Sequence, residues 1–288
     1  MMLGFLLFAV AFVAALLAVA RFAGLGVRED IPRARGLALT WGFVVVLLCL
    51  WWVATRGERI EDRMIAPLIL PNPVEVLQAF PKLHFEQALV RSALTSFVRV
   101  TLGFTLAAVV AIPLGVCMAA FPPVASFFRP LGLASAYVPI IVFIPLTLAW
   151  WGATETQKIG FLFIACFVAL LPLVIKSIAD VEPAFLDVAK TKGATHWQLV
   201  RYVLFPVAAA DMWDHLRGVY GIGWGWIILA EVVNAQQGLG YLISVSERRG
   251  HTSSIFAVII VIVAIAIACD QAWRVGGKRL FPYRRYEG

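Results

Sequence analysis

The chain has 288 residues, of which 61% are hydrophobic and only 14% charged, with a formal net charge of +7. A soluble domain has roughly 45–50% apolar and about 25% charged residues. Here the charges are bunched, leaving 1–20, 36–55, 100–128, 131–154, 159–175 and 252–269 with none. Each stretch is near or above the ~18–20 apolar residues that carry a helix across the hydrocarbon core. Helices without polar faces exclude a soluble globular fold, and the positive charge has a topological explanation that needs no nucleic-acid partner. Cys49, Cys117, Cys166 and Cys269 all fall in apolar stretches, with no CxxC or Cys/His cluster. They read as small core hydrophobes rather than disulfides or metal ligands.

In chain order the predicted spans are 2–20, 36–55, 100–120, 132–151, 159–175, 218–234 and 252–270. The sixth is the weakest, because its charge-free core is only 218–230. Lys and Arg in short loops stay on the cytoplasmic side. With the C-terminus inside, fifteen of the twenty-four basic residues fall in cytoplasmic segments, and the basic tail 276–285 is the strongest anchor. The first span has no basic residue before Arg21, which fits a retained span with its N-terminus outside; a cleaved signal is the alternative. The organisation expected is an extra N-terminal span and linker (1–35), a first core span with an external segment (36–99), a core domain (100–275) containing a cytoplasmic loop (177–217), and a basic tail (276–288).

Two inter-span segments are long. In 56–99, Asn72 can cap a helix that starts at Pro73, so the segment is either an interfacial helix or a plain connector. The cytoplasmic loop predicts two short helices. Pro183 suits a first turn, Gly193 a left-handed C-terminal cap, and Thr195 with Gln198 a capping box. Pro206 is expected to end or kink the second helix. A short amphipathic helix facing the cytosol can be a docking knob or a solvated connector, and the residues alone leave both open.

This loop resembles the "EAA" loop of ABC-importer permeases: Glu-Ala-Ala, three residues, Gly, nine residues, Ile-x-Leu-Pro. Asp187-Val188-Ala189 takes the first place, Gly193 the glycine, and Val203-Leu204-Phe205-Pro206 the last element. The run Thr191-Lys192-Gly193-Ala194-Thr195-His196-Trp197-Gln198-Leu199 is similar to the nitrate, sulfonate, taurine and bicarbonate branch. Similarity continues, in order, over roughly 71–246, through Pro71-Asn72-Pro73, Gly103, Ile112-Pro113-Leu114-Gly115, Ala230-Glu231 and Gly238-Leu239-Gly240.

The resemblance implies an all-α type I ABC importer transmembrane fold with about six core spans, plus the extra N-terminal one. It implies a non-catalytic permease for a small anion, working with two copies of an ATP-binding cassette ATPase, a second permease copy, and an extracytoplasmic substrate-binding protein in a bacterial inner membrane. ATPase coupling would rest on Asp187, Ala189, Lys190, Gly193, Ala194, Val203 and Pro206. No cofactor is expected on this chain, ATP–Mg being used by the partner. Consistently, there is no G-x-x-x-x-G-K-[ST]; the nearest string, Gly276-Gly277-Lys278-Arg279, lacks the first glycine and the hydroxyl. The competing reading is a secondary transporter or channel without an ATPase, which would show broken helices with paired internal charges and an internal repeat. Neither the paired mid-span charges nor the repeat is evident.

Candidate pathway or dimer-packing residues lie in 217–234. Gly221 and Gly225 form a G-x-x-x-G pair, with Gly218 one turn earlier, a spacing that lets membrane helices approach closely. Trp224 and Trp226 cannot share a helix face, so at most one faces a central cavity, and an interface role is the other reading. Glu231 is an intramembrane carboxylate; its first reading is hydrogen bonding to the neighbouring external loop, at shallow depth. Asp211 and Asp214 are expected to pair with Arg217, which lies three residues after Asp214. No span core holds Lys or Arg, Arg99 being nearest, at the edge of the third span.

Overall fold

The computed structural model describes residues 31–57, 63–137 and 139–283. The first predicted span, 2–20, and the basic pair Arg284 and Arg285 lie outside them. Among the described residues the chain is helical, without strands, and contacts divide it into two units, 1–77 and 78–288.

The first unit holds α1 (Arg33–Thr55), apolar on every side and with nothing buried in its membrane-length window. The chain after it is tied back to its C-terminal end. The Trp51 indole N–H donates to Pro71 O at 2.8 Å, and the Asn72 amide reaches Thr55 O at 3.4 Å. Asn72 also caps the helix α2 (Pro73–Gln87) by accepting from the Val74 N–H at 2.9 Å, as Asn-Pro at a helix start predicts. Segment 73–87 is therefore helical rather than a plain connector. Arg63 donates to Glu75 at 2.8 Å, and this hydrogen bond holds the Glu75 carboxyl below its ordinary value.

The second unit is built around α3 (Leu89–Ala120) and α6 (Glu155–Ala179), its most extensive helix pair. Two glycines of α3 allow the close approach. A Cβ at Gly103 would run into the Leu162 side chain, and one at Gly115 would lie 2.7 Å from Val174. Small residues at such crossings replace the hydrophobic driving force that helices lack in lipid. Around them Val100, Ala107, Ala111, Leu162, Ala165, Cys166, Leu170 and Val174 have no exposed surface. Of the four cysteines expected to be small core hydrophobes, Cys166 is buried, while Cys117 and Cys269 are half-buried and Cys49 is exposed on α1.

Between these two helices lie α4 (Pro122–Tyr137), a 3-10 turn (Ile140–Val142) and α5 (Phe143–Trp151). The predicted continuous span 132–151 is therefore broken. Pro139 is extended (φ −64°, ψ 122°) and has no N–H to continue a helical ladder. Five described helices are long and apolar enough to span a membrane; 140–151 is a shorter apolar one. After α6 come α7 (Pro183–Thr191), α8 (His196–Leu199), a π turn (Val200–Leu204) and α9 (Phe205–Asn234), then α10 (Leu239–Arg248) and α11 (Thr252–Leu280). α9 packs on α3, α6, α10 and α11. One end of the bundle carries the 180–206 loop; the other, here the far end, carries the α9–α10 turn.

Candidate functional site

The loop folds as its residues dictate. Pro183 occupies the first turn of α7, and the chain leaves that helix through Gly193 at φ +77°, a left-handed conformation that glycine adopts without penalty. Thr195 and Gln198 then form the reciprocal capping box: Gln198 Oε1 accepts from the Thr195 N–H at 2.8 Å, and Thr195 Oγ1 accepts from the Gln198 N–H at 3.4 Å. Among the residues singled out from sequence, Asp187, Lys190, Gly193 and Pro206 are exposed, while Ala189, Ala194 and Val203 are half-buried. Lys190 donates to Asp187 at 3.3 Å, one turn apart. Phe185 and Val188 stand 50% and 60% exposed, so α7 presents apolar side chains outward beside charged ones.

Pro206 does not end the second helix; the helical path runs on from His196 to Asn234. Pro206 cannot return an N–H to the carbonyl four residues back. The turn before it widens instead, and the Phe205 N–H reaches Val200 O, a π turn of the kind that accommodates such irregularities. Trp197 of α8 stacks on Phe121 at the end of α3, with ring centroids 6.5 Å apart and planes at 17°. The loop therefore touches the α3–α4 turn, a pairing that no sequence pattern signals.

At the far end, four elements converge on Arg99 and Glu231. Arg99 Nη1 donates to Glu231 Oε1 and to Gln237 O, both at 2.7 Å, while Nε donates to Glu155 Oε2 at 2.6 Å. Ser96 donates to the Glu231 carboxylate at 2.8 Å and accepts from the Leu239 N–H at 2.9 Å. The Gly240 N–H completes the set at 2.8 Å from Glu231 Oε2. Gly238, at φ +123°, runs so close to the carboxylate that a Cβ would collide with it. A buried charge is tolerated when paired and hydrogen-bonded, and both conditions hold here. The first reading of Glu231, as a hydrogen-bonding partner of the adjoining loop, matches this geometry, but the residue is fully buried rather than shallow. Sequence reading missed Glu155 and also Lys158, which lies 3.8 Å from the Glu155 carboxylate. Arg217 likewise finds a partner that the sequence did not name: Asp270 of α11, at 2.5 and 2.8 Å.

The remaining pathway candidates separate by helix face. Gly221 and Gly225, with Gly218, lie on an exposed face of α9 where an added Cβ meets nothing within 4 Å; Gly223 points inward instead, toward Val100 and Cys166. The G-x-x-x-G pair therefore packs no helix among the described residues of its own chain. Trp224 is 2% exposed and beside Phe97, and Glu231 is 0% exposed. Both sit inside the chain rather than on a face open to a pathway or a second copy. Periodicity explains the split: 221 and 225 lie about 40° apart around the helix, while 224 is turned about 100° from 225. Trp226 is half-buried against the Ile144, Phe161 and Ala230 cluster.

An all-helical bundle with several membrane-length spans defines a polytopic membrane protein. The chain belongs to the family described as "Binding-protein-dependent transport system inner membrane component", whose pattern matches residues 111–273. It is 30% identical over 257 residues, 88% of this chain and 92% of the relative, to the taurine transport system permease protein TauC of Escherichia coli (strain K12). The nitrate import permease protein NrtB of Synechocystis sp. is 25% identical over 240 residues, 79% and 83% of the two chains. In fold, the chain is similar to one in the inward facing MetNI methionine ABC transporter, with a TM-score of 0.58 at 18% identity, covering 66% of this chain and 95% of that one. It is thus a multi-pass permease of an ABC-type importer with the type I transmembrane fold, a family that works with an ATPase and a substrate-binding protein.

Proposed function

We propose that this chain is the non-catalytic, pathway-forming subunit of an importer for a small anionic solute, coupled to its ATPase through the 180–206 loop. The observation that carries this reading is the exposed α7–α8 pair, joined without a break to a helix that spans the bundle. Asp187, Ala189, Lys190, Gly193, Ala194, Val203 and Pro206 form or support the docking element, with Phe185 and Val188 as its outward apolar side chains. Two ATPase copies bind and hydrolyse ATP–Mg, and this chain holds no cofactor. Their closure moves the attached helices as rigid bodies between two states.

Two permease copies meet across the face of α9 that bears Gly218, Gly221 and Gly225, where small residues allow close helix approach. The open space beside these glycines within one chain supports this. The C-terminus is cytoplasmic, supported by the excess of Lys and Arg on the loop side. An anionic solute is supported by the relatives named for taurine and nitrate.

Co-expression with the cognate ATPase and binding protein, purification and reconstitution test the reading. The expected outcome is a stable complex with two permease and two ATPase copies, ATP-dependent uptake, and disulfide crosslinking of Gly225→Cys between copies. Uptake by the chain alone, driven by an ion gradient, would instead establish the secondary-transporter alternative.

A further inference from the structure

At the far end, a cavity of about 330 Å³ opens between the end of α2, the start of α3, the 235–238 turn and α10. Its wall includes Arg91, Arg249, Glu86, Gln236, Gln237 and Tyr241. Arg99, two turns below Arg91 on the same helix, is held by two carboxylates. By contrast, among the described residues neither Arg91 nor Arg249 has a carboxylate within ion-pair distance. The cavity wall thus carries two guanidinium groups against one carboxylate, Glu86. The Tyr241 hydroxyl and the Gln236 and Gln237 side-chain amides also have no hydrogen-bond partner among the described residues, so further donors border the same space. Guanidiniums and neutral donors around one cavity are chemistry that recognises a planar or tetrahedral oxyanion, and the volume suits a small ligand or a single side chain.

We propose that this pocket, lined by Arg91 and Arg249, binds an oxyanion, a carboxylate or a sulfonate. That it faces the outside rests on the importer reading above. The oxyanion can come from two sources: an acidic side chain of the docked binding protein, or the anionic group of the delivered solute.

The test uses the complete transporter in nanodiscs, comparing wild type with the Arg91→Gln/Arg249→Gln double variant and with Glu86→Gln. In one arm, docking of the binding protein is measured at low and moderate salt. In the other, methanesulfonate and acetate are titrated without binding protein, and the shift in thermal unfolding is read. Losing the two charge-assisted contacts is expected to weaken one arm by about tenfold or more, while Glu86→Gln tightens that same arm. A loss confined to docking assigns the source to the binding protein, and a loss in the titration assigns it to a free anion. Unchanged behaviour in both arms, in a double variant with wild-type basal ATPase activity, overturns the pocket. Failure to assemble with an ATPase overturns the importer reading instead; the titration arm, run on the isolated chain, still reads the pocket.

Discussion

Arg99 Nη1 and Glu231 Oε1 stand 2.7 Å apart, with 3% and 0% of their side chains exposed, and join two helices through residues 132 positions apart in sequence. Removing one member of such a pair leaves an uncompensated buried charge, which costs about 3–5 kcal/mol. Arg99→Met, which strands the buried Glu231 carboxylate, is expected to destabilise the purified protein by about 3 kcal/mol or more, and Glu231→Ala, which leaves Arg99 its second carboxylate at Glu155, by less. The Arg99→Met/Glu231→Leu double variant is expected to lose clearly less than the sum. Thermal unfolding in detergent, followed by tryptophan fluorescence, checks this; strict additivity would show that the two charges do not depend on each other.

Gly238 carries the same cluster through the backbone. Its φ of +123° disfavours any side chain, and an added Cβ meets the Glu231 carboxylate. Gly238→Ala is expected to cost about 1–3 kcal/mol, whereas Gly221→Ala, with nothing near its Cβ, stays within about 1 kcal/mol of wild type in the monomer. Equal losses at the two positions, read by the same thermal unfolding, would contradict the geometry.

Gly193 offers a test of the loop in which steric and conformational effects separate. Its φ is +77°, yet nothing lies within 4 Å of the point where a Cβ would stand. Gly193→Asn, which tolerates left-handed backbone, is expected to retain ATPase co-purification and uptake. Gly193→Val forces a left-handed β-branched residue at about 1–2 kcal/mol and is expected to weaken both. If Val and Asn behave alike, the left-handed turn is not what the glycine supplies.

The Glu75–Arg63 contact makes the 63–75 segment acid-sensitive. The hydrogen bond from Arg63 lowers the carboxyl from its ordinary 4.5. A depressed folded value means that the contribution is fully present above the unfolded value and is lost as pH falls through the folded one. Limited proteolysis within 63–72 is therefore expected to accelerate below about pH 4.5. Glu75→Gln is expected to be nicked faster at neutral pH, with a weaker acid dependence.

Much of this was legible because local rules decide it. Asn72-Pro73, Pro183, Gly193 and the Thr195–Gln198 box each fix a helix boundary from neighbours only a few residues away, and charge-free length marks the spans at 36–55, 100–120, 159–175 and 252–270. The break at Pro139 was signalled by the same proline chemistry but hidden inside an apolar run. The far-end cluster was harder: Ser96, Arg99, Glu155, Glu231 and Leu239 come from segments up to 143 positions apart, and no local periodicity pairs them. The one available signal was energetic, since an intramembrane Glu231 requires a partner and Arg99 was the nearest basic residue to any span core. Asp270 escaped notice because it ends the predicted span 252–270, 53 positions from Arg217, with no local spacing to pair the two. Trp224 was misplaced because sequence gives the face of a helix only relative to its neighbours, not which face turns inward.

The unbroken helical path of 38 residues from His196 to Val233 makes one rod about 57 Å long. The π turn and Pro206 sit near one tip, and Glu231 is clamped near the other. If it tilts as one body where α9 packs on α3 and α6, it would act as a lever. A tilt of about 5° displaces a tip by about 5 Å relative to the opposite one. A thrust applied to α7 and α8 would then arrive at the Arg99 clamp as an opposite shift of about 2–3 Å, with no intermediate part to relay it.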